Sequence, residues 1–244
     1  MMQGERSNMR LGLRCMGWVA LGGLAVSIAG YTHTVAELEA LARSAVVREV
    51  SMAAGLSLAG FYATAVSLDD LENLAETGCT VGIRLAARTA IDILSDPLQL
   101  LVEQPADDLK ELAVRAATSD ERLDAARAYY IKTRESLTAE SLTADATESE
   151  SEELALAAGE VLAGFYTSFE AVSTVELMEQ AVEGASPGLR IAAGLALGTQ
   201  LIRTSSLKEG EIIVKIMEHT MVRTELAEAY MLLLAHRWRE DGGA

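Results

Sequence analysis

The feature that most constrains this chain is a period. Large apolar residues stand at Leu38, Leu71, Leu109, Leu142, Leu177 and Ile212, at intervals of 33, 38, 33, 35 and 35 residues. Four residues after each anchor come Ala42, Ala75, Ala113, Ala146, Ala181 and Ile216. Apolar positions at i, i+3 and i+4 mark a helix that buries one face. The surrounding segments, such as VAELEALA, LDDLENLA and ADDLKELA, carry Asp or Glu early, where the helix dipole favours it. Ser67 and Ser173 are positioned to cap two of these helices. A period of about 35 residues points to stacked helix pairs, because one pair alone cannot bury its apolar face.

A second helix follows each anchor at a constant distance. Fourteen residues on stand Met52, Leu85, Leu123, Leu156, Ile191 and Leu226, and the next position is Ala53, Ala86, Asp124, Ala157, Ala192 and Ala227. Small residues beside large ones let helices approach closely. Turn-like pieces such as GCTVG (Gly78–Gly82) and GASPG (Gly184–Gly188) separate the two helices. Three prolines in 244 residues leave long stretches free to be helical, and no strict apolar–polar alternation suggests a strand. The expected fold is all-α, with repeats over 34–66, 67–104, 105–136, 137–172, 173–207 and 208–240 in a single domain. Two segments depart from the pattern. Residues 95–106 hold two of the prolines and read as a looser connection. Residues 135–153 hold seven acids and no base, and read as a frayed helix or an acidic surface loop, with an acidic docking strip or phosphorylated loop as the functional alternative.

The most regular inner segment is SPGLRIAAGLALG, from Ser186, echoed by GIRLAARTAID at Gly82 and GLRCMGWVALG at Gly12. Arg190 followed by Ile191, Ala192 and Ala193 resembles the opening of the second helix in HEAT-like (armadillo-type) repeats, and Arg84 and Arg122 occupy the same slot. The resemblance covers roughly residues 10–240. It implies a right-handed α-solenoid whose second helices line a concave, partner-binding side. The turn Asp that bonds this Arg across repeats in the family is mostly missing here. A longer period overlies the short one: AAGLSLAGFY (Ala53–Tyr62) returns as AAGEVLAGFY (Ala157–Tyr166) 104 residues later, which suggests duplication of a three-repeat block.

Residues 15–30 are continuously apolar and follow Arg6, Arg10 and Arg14. Two readings stand. Residues 10–30 align with the second helix of a repeat and would begin the stack as a half-repeat. They also have the make-up of a secretory signal or short anchor, with Ser27 and Ala29 near a cleavage point. The first reading gives a cytoplasmic protein. The second gives one that is exported or membrane-anchored through residues 6–30, with membrane contact only through 15–30.

Little in the chain suggests chemistry. A net charge of −16 with dispersed basic residues argues against nucleic acid as a partner. Cys15 and Cys79 form no CxxC pair, and His33, His219 and His236 are far apart in sequence, so neither a metal nor a cofactor is expected. No nucleophile elbow, phosphate loop or dinucleotide motif is present. Two rows are candidates for partner binding: Arg14, Arg84, Arg122 and Arg190 near the starts of second helices, and an aromatic row in which Tyr62, Tyr129 and Tyr166 stand out. Each has a structural alternative, turn bonding for the arginines and inter-repeat packing for the rings. The expected function is a non-catalytic protein-interaction scaffold, a subunit or assembly factor of a larger complex, with a protein partner of basic character. The alternative is a chromophore-handling protein resembling the phycobilin lyases, which are HEAT-like solenoids of similar size.

Overall fold

The structure is a computed structural model and describes residues 33–95, 97–168, 172–220 and 224–240. The half-repeat or leader at 10–30, with Arg14 and Cys15, lies outside these residues. Among the described residues the fold is all-helical, and no strand forms.

The helices come in six pairs: α1 (Val35–Ser44) with α2 (Arg48–Ala65), α3 (Leu68–Thr77) with α4 (Val81–Leu94), α6 (Ala106–Arg115) with α7 (Ser119–Thr133), α8 (Ala139–Glu148) with α9 (Glu152–Ser168), α10 (Thr174–Glu183) with α11 (Pro187–Thr204), and α12 (Glu209–Thr220) with α13 (Thr224–Glu240). A short α5 (Pro97–Val102) stands between the second and third pairs. The first helix of each pair buries only its anchor and the residue four on, and all six anchors are fully buried. The second helix buries far more. In α2, every residue from Glu49 to Ala59 is buried. The two helices of a pair therefore differ as an outer, one-faced helix differs from an inner one packed on several sides.

Close approach of the inner helices depends on glycine. A Cβ added to Gly82 would stand 2.2 Å from the Ser51 carbonyl oxygen, and one added to Gly188 would stand 2.3 Å from that of Ala155. Both glycines lie in the first turn of an inner helix, not in the connecting turn. They face Gly55 and Gly159, which hold equivalent places in the two copies of the AAGxxLAGFY segment. The repeated segment thus marks the same backbone-to-backbone contact made twice.

The described residues form two compact units. One holds α5 to α10 and α11 as far as Leu197; the other holds α1 to α4, α11 from Gly198, α12 and α13. Within the second unit, α13 packs on α2, and the Ser57 hydroxyl donates to the Ala235 carbonyl at 3.2 Å. Stacking between sequence neighbours alone would not bring the first and last pairs together, so this contact was not foreseen from the period.

Two further differences from expectation have local causes. The 95–106 connection contains α5, because Leu98 is buried against Leu109 and Ala128, and Lys132 of α7 donates to the Val102 carbonyl at 2.9 Å. The acidic stretch folds as α8 and the start of α9. Thr138 accepts a hydrogen bond from the Ser141 amide at 3.1 Å and the Ser141 hydroxyl reaches back to the Thr138 amide at 3.0 Å, a capping box in which Ser takes the usual acid's place. Leu142 and Ala146 are fully buried, so two apolar residues at the right spacing fix a helix that is otherwise polar.

Candidate site: an acidic, tyrosine-lined groove

The arginine row has one geometry throughout. Arg84 donates to the Gly78 carbonyl at 2.6 Å, Arg122 to Ala116 at 3.0 Å and Arg190 to Gly184 at 3.1 Å. Each acceptor is the residue that ends the outer helix of the same pair. Helix ends leave carbonyls without intrahelical partners, and a guanidinium six residues downstream supplies the missing donor. These three arginines brace turns, and their repetition follows from that.

Coupling between pairs is carried by hydroxyls. Thr80, Ser151 and Ser186 sit nine residues after their anchors. Each accepts from a backbone amide of its own inner helix, from Ile83, Leu154 and Leu189 at 3.3, 3.1 and 3.2 Å. Each also donates to the carbonyl of the buried Ala on the preceding outer helix: Thr80 to Ala42 and Ser186 to Ala146 at 2.7 Å, and Ser151 to Ala113 at 3.4 Å. One side chain thus caps a helix and ties it to its neighbour. At the junction of α7 and α9 an acid also takes part. There Glu153 accepts from Arg122 at 2.8 and 3.0 Å and from Ser119 at 2.9 Å. Burial on its own would raise the Glu153 pKa, but these bonds outweigh it and hold the carboxyl below its ordinary value.

The tyrosines part company. Tyr62 is buried and donates to Glu39 of its own pair at 3.1 Å; burial and that carboxylate push its pKa up to about 12. Tyr166, the matching residue of the fourth pair, is half-buried beside Thr143, and burial raises its pKa as well. Both fasten the end of an inner helix to its outer partner. Tyr129 is different. It is half-buried at the rim of a groove of about 260 Å3, together with Lys110, Tyr130, Asp145, Glu148 and Glu150. Tyr129 and Tyr130 meet edge to face, with centroids 5.0 Å apart, and the Lys110 ammonium lies 5.9 Å from the Tyr129 ring centroid. The Tyr130 hydroxyl donates to Asp145 at 3.0 Å; burial, then the Asp145 charge, raise its pKa.

The groove's electrostatics follow from where α8 ends. Asp145 and Glu148 occupy its last turn, which contains no base. Carbonyl dipoles already make a helix C-terminus negative, so acids there are unfavourable. With Glu150 added, three carboxylates face one ammonium. The site favours a cation, and the tyrosine faces add to that preference. Of the six residues singled out for partner binding, Tyr129 lines the groove, together with acids of the 135–153 run; Arg84, Arg122 and Arg190 bond turn carbonyls, Tyr62 bonds Glu39 and Tyr166 lies beside Thr143.

A second polar feature went unseen in the sequence. Arg127 and Glu160, each less than a tenth exposed, form a two-pronged pair between α7 and α9, with Nε–Oε2 at 3.0 Å and Nη2–Oε1 at 3.2 Å. Both stand eighteen residues after their anchors. Among the described residues, no group of three or more His, Cys, Asp or Glu is placed to hold a metal ion, and no helix is long and apolar enough to cross a membrane. No family model, no curated protein and no solved structure matches the chain.

Proposed function

We propose that this chain is a non-catalytic protein-interaction scaffold built from HEAT-like (armadillo-type) helix pairs, with the right-handed stacking of an α-solenoid, and that it serves as a subunit or assembly factor by receiving a basic segment of a protein partner. The observation that carries this reading is the groove at the C-terminal end of α8, where Asp145, Glu148 and Glu150 outnumber Lys110 beside two tyrosine rings. A bound Arg or Lys would offset acids that the helix end itself disfavours. Tyrosine also presents a large apolar surface and a polar tip, which suits it to interfaces. At about 260 Å3 the groove matches a side chain better than a four-ring chromophore, since small-molecule sites usually run to ~300–1,000 Å3.

Affinity capture with mass spectrometry tests the reading, run in parallel with the wild type and a Tyr129→Ala/Glu148→Lys variant. The expected result is a partner held by the wild type and lost by the variant, with a Lys- or Arg-rich segment protected at the contact. A monomeric protein that retains nothing above background, or a partner held equally by both forms, refutes it.

A further inference from the structure

The duplicated register sets two helix junctions side by side for comparison. In the first unit, α7 packs on α9; in the second, α13 packs on α2. Glu49 of α2 stands eleven residues after its anchor, as Glu153 of α9 does, and the two are 104 residues apart, the spacing of the duplicated segment. Across the first junction, Glu153 meets Arg122, thirteen residues after its own anchor. The residue thirteen after the α13 anchor is Glu225. An acid therefore stands where the matching junction has its cation.

The consequence is visible in the second unit. Glu49 is 3% exposed and its Oε2 is buried without a hydrogen-bond partner. Glu228, one turn beyond Glu225, is 8% exposed on the same helix. Burial, then the charges of Glu225 and Glu49, push the Glu228 pKa up to about 8, with Arg48 opposing them. Among the described residues, α11 and α12 also pack on α13 but add no charge to that balance.

We propose that the α2–α13 junction is a pH-sensitive latch: it holds while Glu228 is the neutral acid beside Glu49 and Glu225, and it loosens α13 from α2 when Glu228 ionises. The sign follows from linkage. A carboxyl with a raised folded-state pKa contributes fully below its unfolded value near 4.5, and that contribution is lost as pH rises toward the folded value. Between pH 6 and 8, the equilibrium between closed and open junction shifts by about tenfold over the first pH unit and less as pH nears the folded value, about 50-fold in all.

Hydrogen exchange with mass spectrometry on the full chain, at a series of pH values corrected for intrinsic exchange, reads this directly. Protection of α13 and α2 peptides is expected to fall by about 50-fold between pH 6 and 8, while α7 and α9 peptides hold theirs. Glu228→Gln should abolish the fall. Glu225→Arg, which places a cation as at Arg122, should reduce it, and serves if the Gln variant fails to fold. Flat protection in the wild type, a fall shared equally by α7 and α9, or a fall as large in the folded variants as in the wild type overturns the latch.

Discussion

Arg127 and Glu160 form the buried pair whose removal tests the interior most sharply. Both are desolvated, and each satisfies the other through two hydrogen bonds, with Asp124 a third participant 3.3 Å from the guanidinium. Taking away one partner of such a pair leaves an uncompensated buried charge, at a cost of about 3–5 kcal/mol, whereas exchanging both for apolar residues of similar volume is roughly neutral. The structure makes the two single changes unequal. Arg127→Met takes the guanidinium from Glu160 and Asp124 alike, so a loss of about 3–5 kcal/mol is expected. Glu160→Gln leaves Arg127 its contact with Asp124, so the loss should be nearer about 2 kcal/mol. Arg127→Met/Glu160→Leu should return to within about 1 kcal/mol of the wild type. Urea denaturation followed by circular dichroism gives the three values. With a slope of about 2–3 kcal/mol per molar, Arg127→Met should lower the midpoint by roughly 1–2 M. Exchange on α7 and α9 peptides should place the loss at that junction. The reasoning fails if Arg127→Met costs less than about 1 kcal/mol, or if the double variant is as unstable as the sum of the singles.

The packing glycines give a contrast within one helix type. Gly188→Ala forces a Cβ to 2.3 Å from the Ala155 oxygen and should lose about 1–3 kcal/mol, while Gly164→Ala, with nothing within 4 Å, should gain about 0.5–1 kcal/mol in thermal unfolding. Ser186→Ala removes both the cap on Leu189 and the bond to Ala146, and should cost about 1–2 kcal/mol by chemical denaturation; a loss no larger than that of an exposed Ser→Ala control would dismiss the coupling role. Because Arg122 and Ser119 hold the Glu153 pKa down, that carboxyl stabilises the fold above the ordinary carboxylate pKa and loses its contribution as pH falls through the lower folded value. The stability difference between wild type and Arg122→Ala should therefore be largest at neutral pH and shrink toward pH 3; a constant difference refutes the pairing.

Much of the fold could be read in the sequence because one physical demand recurs. An outer helix needs one fully buried apolar residue and a small one four positions on, and all six anchors meet it. The same economy hid α8, where Leu142 and Ala146 suffice for burial and the remaining residues resemble a solvated loop. The glycines were visible, but Gly82 and Gly188 looked like turn residues, because a sequence does not distinguish a glycine needed for its dihedral freedom from one needed for its missing Cβ. The groove was half legible. Tyr129 stood out as an aromatic, and 135–153 as an acidic run, but nothing in the order of residues joined them. Lys110 lies on one outer helix, Tyr129 on an inner one and Glu148 on the next outer helix, and only packing of the third pair on the fourth assembles them.

In a chain built by repetition, a residue that obeys the repeat reports on the fold, and one that breaks it is where other demands act. The arginines at 84, 122 and 190 obey, and each closes a turn. Glu225 stands in that same slot with the opposite charge, next to two other buried or half-buried acids. At the matching junction an arginine fills this slot and pairs with the acid of the same register across the interface. Retaining acids on both sides costs stability whenever they ionise. A junction that costs stability only on the alkaline side is one whose hold on α13 depends on pH, whereas the Arg127–Glu160 junction binds its charges in a fixed pair.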